Sequence, residues 1–225
     1  MNVSEMRAEL EDDMSWRLDE IRHLVNHLLG DKKAGEASVY SLRAILVMQY
    51  AHLEGFTRNA LALYIKAINA QAIAAKDLRP ELLSAALAAE FDGLRRGADP
   101  RDGEGKLATR ARQQVAFVRK LQELSDGPIS IAAEVAASME MNLGSDVLKR
   151  ALVNLAIPVD RVANDQYSSI EFVKRVRNDI AHGSRKENIP EGMFSEHLKR
   201  CERFMNGLAR VLTQALSEQW FRAAT

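Results

Sequence analysis

The run Arg177-Asn178-Asp179-Ile180-Ala181-His182-Gly183 sets a guanidinium, an amide and an imidazole close together along the chain. An arginine can hold and neutralise a crowded phosphate, a histidine can take or give a proton near neutral pH, and an asparagine can orient either of them. These groups suit cleavage of RNA by its own 2′-hydroxyl, a reaction that needs no metal. General acid–base help of this kind contributes about 10²–10⁴-fold, and stabilisation of the developing charge a similar amount. DNA lacks the internal nucleophile, so this chemistry would spare it.

Spacing alone is weak support. Arginines and histidines scattered at this composition give an Arg-x4-His about 0.5 times per chain by chance, and a second pair does occur at Arg22 and His27. His27 lies beside the apolar stripe of its helix and reads as structural. The purely structural reading of the first pair also stands. A histidine just before Gly183 is what capping and the helix dipole favour at a C-terminus, and Arg177 could be an ion-pair partner for Glu171 or Asp179.

The elements that must position these residues are helical. Apolar residues recur at helical spacing, alanine and leucine dominate, and strand-type alternation is nearly missing, so the chain reads as all-α. A first helix carries Met6, Leu10, Met14, Leu18, Ile21, Val25 and Leu28 and stops at Gly30. A very long second helix runs from about Ser38 to Ala75. A third is expected over Pro80 to Leu94, followed by a loop marked by Gly93, Gly97, Pro100, Gly103 and Gly105. A fourth covers about Lys106 to Leu124. The segment from Asp126 to Asn142 is ambiguous, because Ile129 and Ile131 alternate like a strand before helix-like alanines.

A short helix from Ser145 to Leu155 precedes Pro158. Ser168 followed by Glu171 predicts a capping box opening the helix that carries the motif, and Gly183 predicts its end. The last helix is expected to begin with Pro190 in its first turn and to continue towards Trp220. On the motif helix, Ile170, Val173, Val176 and Ile180 share the core face. His182 falls nearly opposite, on one stripe with Asn178 and Arg175, while Arg177 sits between that stripe and the core edge. In a monomer His182 would therefore face solvent, and a second protomer docked there would form a cleft.

Composition sets the frame. Lysine plus arginine and aspartate plus glutamate number 31 each, so overall charge argues neither for nor against nucleic acid. Locally, Lys174, Arg175, Arg177, Arg185 and Lys186 face one acid, Asp179, in a basic patch around His182. The single cysteine, Cys201, rules out an intramolecular disulfide, and no Cys/His cluster has zinc-site spacing. The acidic N-terminal stretch lacks a secretory pattern, and no apolar run is long enough to span a membrane. A cytoplasmic setting is expected.

The run at 177–183, closing a helix late in an all-α chain, resembles the signature of HEPN-domain proteins: arginine, a polar residue that is often asparagine, then histidine. It is similar in particular to a bacterial HEPN-like nuclease group that also carries an upstream helix of the form Tyr-Ala-His-x-Glu-Gly-Phe. Here that reads Tyr50-Ala51-His52-Leu53-Glu54-Gly55-Phe56, followed by Arg58 and Asn59. The resemblance spans about residues 40–215. It implies an antiparallel helical bundle with additional helices, divided into an N-terminal helix (1–35) packed on a HEPN-like domain (36–225).

It further implies a homodimer acting as a metal-independent endoribonuclease without cofactors. Such a protein would be a toxin or antiviral defence effector, with an antitoxin or defence-system partner. Arg177 and His182 match the catalytic pair and Asn178 the polar position. Lys174, Arg175, Arg185 and Glu54 are the expected substrate-side residues. For Glu54 the alternative is an i,i+4 ion pair to Arg58 that braces the helix. The competing class is a non-catalytic HEPN module that binds RNA, nucleotide or a protein partner. A third is a purely structural dimerisation bundle.

Overall fold

A computed structural model describes residues 1–30, 38–96, 105–133, 142–162, 166–184 and 189–223. Among them lie eight helices: α1 (Val3–Leu29), α2 (Val39–Asn69), α3 (Pro80–Ala86), α4 (Ala88–Arg96), α5 (Lys106–Asp126), α6 (Ser145–Asn154), α7 (Tyr167–Ala181) and α8 (Glu191–Ser217). The described residues hold no strand beyond two isolated bridges, Ala74 to Pro128 and Leu78 to Arg222. The expected all-α class is the observed one.

Helix α2 is buried on nearly every side, through Leu42, Ile45, Tyr50, Leu53, Phe56, Leu61, Tyr64 and Ile65. A helix apolar all round belongs at the centre of a bundle, and α1, α7 and α8 pack around it. Helix α1 starts with a reciprocal cap, Asn2 with Glu5, and buries Met6, Leu10 and Ile21. Helix α8 contributes Phe204, Leu208 and Leu212, each fully buried and each stabilising by about 1.5–3 kcal/mol relative to exposure.

Cross-helix contacts fix the directions. His52 of α2 meets Glu20 and Gly55 lies against Arg17, so positions that rise along α2 fall along α1 and the two are antiparallel. Gln49 lies beside Cys201 in the first halves of the two helices, and Arg79 N–H donates to the Phe221 carbonyl beyond their far ends, so α2 and α8 run parallel. His197 Nδ1 lies 2.9 Å from Ser169 Oγ, so the first turn of α7 packs against the second turn of α8.

Several local expectations are corrected. Helix α2 stops at Asn69, not near Ala75, because the Asn69 amide bonds both the N–H and the carbonyl of Ile131 at 2.9 Å and Ala72 takes φ 49. The third helix splits into α3 and α4 at Leu87, whose ψ of 8 turns the chain so that Phe91 meets Phe117 of α5. Gly93 lies inside α4 and Gly105 caps α5, while residues 97–104 lie outside the described residues. In the ambiguous segment, Ile129 N–H donates to the Ile73 carbonyl at 2.9 Å and Ile129 and Ile131 are buried. Residues 134–141 lie outside the described set.

The capping box of the motif helix does not form. Helix α7 begins at Tyr167 with no side-chain cap from Gln166, and Glu171 instead accepts the Ser145 N–H at the start of α6, 2.5 Å away. Pro190 is the cap residue of α8 rather than its first helical residue.

Candidate functional site

Burial on one side and a sharp stop together place the motif. Ile170, Val173 and Val176 are buried, which anchors the inner face of α7 as its periodicity requires. The helix then closes in a Schellman turn: Gly183 N–H donates to the Ile180 carbonyl at 3.1 Å and Ser184 N–H to the Asp179 carbonyl at 2.9 Å. Gly183 takes φ +69, a left-handed position that glycine occupies without strain. His182 is the residue at that cap, and its side chain is exposed on the outer face. The sequence placed it there.

Arg177 reaches the other way, onto α2. Its guanidinium carbon lies 4.9 Å from the centroid of the Tyr50 ring, and its Nη1 donates to Asn178 Oδ1 at 2.8 Å. Neither suggested ion pair forms. Glu171 pairs with Lys174 at 3.0 Å, and no carboxylate of the described residues is recorded within ion-pair reach of Arg177. Tyr50 is buried, 1% exposed, and its hydroxyl donates to Asn142 Oδ1 at 2.7 Å. Burial first, then the neighbouring Glu54 carboxylate, push the Tyr50 pKa well above the usual phenol value, and Arg177 opposes them. The ring stays a neutral phenol at physiological pH.

Glu54 sits in the same neighbourhood. Its side chain is 15% exposed and one oxygen pairs with Arg58 at 2.7 Å, while the other is buried without a hydrogen-bond partner. The i,i+4 brace therefore exists, yet it uses only half of the carboxylate. The upstream and downstream motifs converge at Tyr50, Glu54 and Arg177.

The remaining expected residues are distributed differently. Asn178 is half-buried and serves Arg177 directly. Lys174 packs over Gly144 and pairs with Glu171, bracing α6 against α7. Arg175 is exposed, 6.0 Å from the Phe172 ring, which in turn stacks on His197 at 3.9 Å. Arg185, like Lys186, lies outside the described residues. His52 and His197 are packing residues, as expected: burial lowers the pKa of both despite acids beside them. The Cys201 thiol is fully buried, pushed up to about 12 by that burial, and is no nucleophile.

Tyr50 opens the upstream run, but its residue type alone assigns it no role. Its spacing of four from Glu54 was the available signal, since it puts both on one face. Asn142 carried no signal. A cavity of about 1060 Å³ lies elsewhere, between α1 and α8, lined by residues such as Leu10, Met14, Arg203, Gly207 and Arg210, and it holds none of the motif residues. No helix among the described residues is long and apolar enough to cross a membrane.

No curated protein and no solved structure matches the chain. A family model does: MAE_28990-like HEPN, over residues 6–221. HEPN domains commonly dimerise and bind RNA, and the family points to a nuclease or nucleotide-binding module. With a match running from the first turns of α1 to beyond the end of α8, on an all-helical bundle, the chain belongs to the HEPN superfamily.

Proposed function

We propose that this protein is a metal-independent endoribonuclease that works as a homodimer in the cytoplasm, as a toxin or defence effector whose partner is an antitoxin or another defence-system component. One observation carries the reading: two motifs far apart in the chain meet, so that Arg177 is held half-buried on Tyr50 while His182 stays exposed at the end of the same helix. In a single protomer His182 faces solvent, where nothing would hold a substrate.

Two-fold pairing there would bring two copies of His182 to one phosphodiester. One imidazole takes the proton of the 2′-hydroxyl as its oxygen attacks phosphorus. The bond from phosphorus to the 5′-oxygen breaks, and the second imidazole, as imidazolium, protonates that leaving oxygen. The products are a 2′,3′-cyclic phosphate and a 5′-hydroxyl. Arg177 neutralises the phosphorane, Asn178 orients Arg177, and Arg175 and Arg185 are the further cations expected to hold RNA.

The test is expression of wild type beside His182→Ala, scoring growth arrest and RNA fragments with 2′,3′-cyclic ends. Arrest and cyclic-ended fragments from wild type alone support the reading. RNA that is bound but uncut by wild type points to the non-catalytic module.

A further inference from the structure

The arginine of the motif is held in an unusual way for a half-buried cation. A guanidinium positioned by a carboxylate has much of its charge neutralised before any ligand arrives. Arg177 is positioned by a ring face and by a neutral amide, Tyr50 and Asn178, and the Glu54 carboxylate beside Tyr50 pairs with Arg58 instead, so among the described residues no carboxylate pairs with the guanidinium. The ring cannot drift, because Tyr50 is fixed from both ends. Its body is buried in the α2 core, and its hydroxyl is bonded to Asn142 at 2.7 Å, with the Leu143 carbonyl at 3.4 Å. Gly144 follows directly and lies under Lys174 and Glu171 of α7, so the strand of chain that locks Tyr50 also abuts the motif helix.

We propose that Tyr50, held by Asn142, is the positioning residue for Arg177: its ring presents the guanidinium, which has no carboxylate pair among the described residues, to a phosphate of the bound RNA. This rests on the reading of Arg177 as a phosphate-holding residue. It assigns the first position of the Tyr-Ala-His-x-Glu-Gly-Phe run a role in the site, through α2, rather than in the core alone. A cation–π contact that is partly desolvated accounts for roughly a 3- to 30-fold effect on affinity or rate. The ring makes the contact and the hydroxyl only steadies it, so Tyr50→Phe, which keeps the ring and loses the Asn142 bond, should weaken binding less than Tyr50→Leu.

The experiment is a double-mutant cycle on binding of a 2′-O-methyl RNA oligonucleotide, which cannot be cut by its own 2′-oxygen, read by fluorescence anisotropy. Tyr50→Leu should weaken binding about 3- to 30-fold in the wild-type background and add little in the Arg177→Ala background. Equal losses in both backgrounds would overturn the proposal, since a residue that merely supports the fold weakens binding whether or not Arg177 is present. A spectrum of the arginine Nε–Hε groups gives a second measure that needs no RNA and no Leu variant. The resonance that vanishes in Arg177→Lys should be shifted upfield by the ring in wild type and in Tyr50→Phe. A random-coil position in wild type would also sink the assignment. Because neither measurement requires cleavage, coupling without cut RNA would leave Tyr50 as the positioning residue of a binding module and remove only the nuclease. Cut RNA without coupling would remove only Tyr50.

Discussion

The chain contains the same Arg-x4-His spacing twice on long helices, and the two copies meet different fates. In α1, Arg22 is 65% exposed and pairs with Asp19 three residues back, 2.5 Å away, and His27 is exposed a turn further on. In α7, Arg177 turns inward onto a ring of α2. The helices also end differently: Gly30 after α1 stays right-handed at φ −58, whereas Gly183 after α7 is left-handed at φ +69. What distinguishes the two copies is thus not the spacing. It is whether the arginine has a partner on another helix and whether the histidine stands at a fixed helix end.

Swapping the same substitution between the two copies is the sharpest way to break this comparison. His182→Ala should reduce RNA cleavage by about 10²–10⁴-fold, and His27→Ala should leave it unchanged. Single-turnover cleavage of a labelled RNA would measure both. Equal losses would mean that the α7 copy has no special standing. The arginines come next: Arg177→Ala should cost about 10²–10³-fold through lost charge stabilisation, against no effect for Arg22→Ala, whose exposed pair contributes about 0.2–1 kcal/mol of stability at most.

The helix ends give a smaller and different effect. Nothing lies within 4 Å of a Cβ built on Gly183, so Gly183→Ala introduces no clash. It places a side chain in the left-handed region, at a cost of about 1–2 kcal/mol. Urea melts should show that loss, and cleavage should fall along with it, because relaxing the turn moves His182. Gly55→Ala tests the α1 side of the same motif. Its Cβ would come 2.6 Å from the Arg17 guanidinium, which stacks on Trp16 and pairs with Asp13 at 3.0 Å. The gain of about 1 kcal/mol from replacing a helical glycine should be offset by that displacement, so the net change is near zero.

Most of the placement of His182 was legible in the sequence. The core face of α7 through Ile170, Val173 and Val176 follows from helical periodicity, and Gly183 marks the stop, so an outward His182 is a matter of counting residues. The context of Arg177 was not legible, because periodicity marks Tyr50 as buried without saying which helix lies above it. Ser168 and Glu171 show the same limit from the other side. Their spacing fits a capping box, but the free N–H at Ser145 competes for the carboxylate, and that group comes near only after α6 and α7 have packed. The break at Leu87 carries no glycine or proline to announce it, and it is set by where α4 must go to meet α5.

His52 in the Tyr50–Phe56 run and His197 on α8 respond to acid in the same sense, which gives the mildest prediction. His52 faces α1, against Trp16, Arg17, Asp13 and Glu20, and burial lowers its pKa even though the Glu20 carboxylate is 3.0 Å away. His197 is lowered in the same way by burial against Phe172 and Ser169, with Glu196 and Arg200 acting in opposite senses. The folded state therefore binds these two protons less readily than the unfolded chain, whose histidines titrate near about 6.5. Stability from this source is complete above that value, falls as pH drops through it, and levels off below the folded-state pKa of each ring. Carboxylates held low by their partners, such as Glu81 and Glu171, add their losses only in more acidic solution. The urea midpoint should thus decline modestly between pH 7.5 and 5.5, and His52→Gln combined with His197→Gln should flatten the decline. A slope that survives the double substitution would mean the acid sensitivity of the bundle comes from elsewhere than the packing around these two rings.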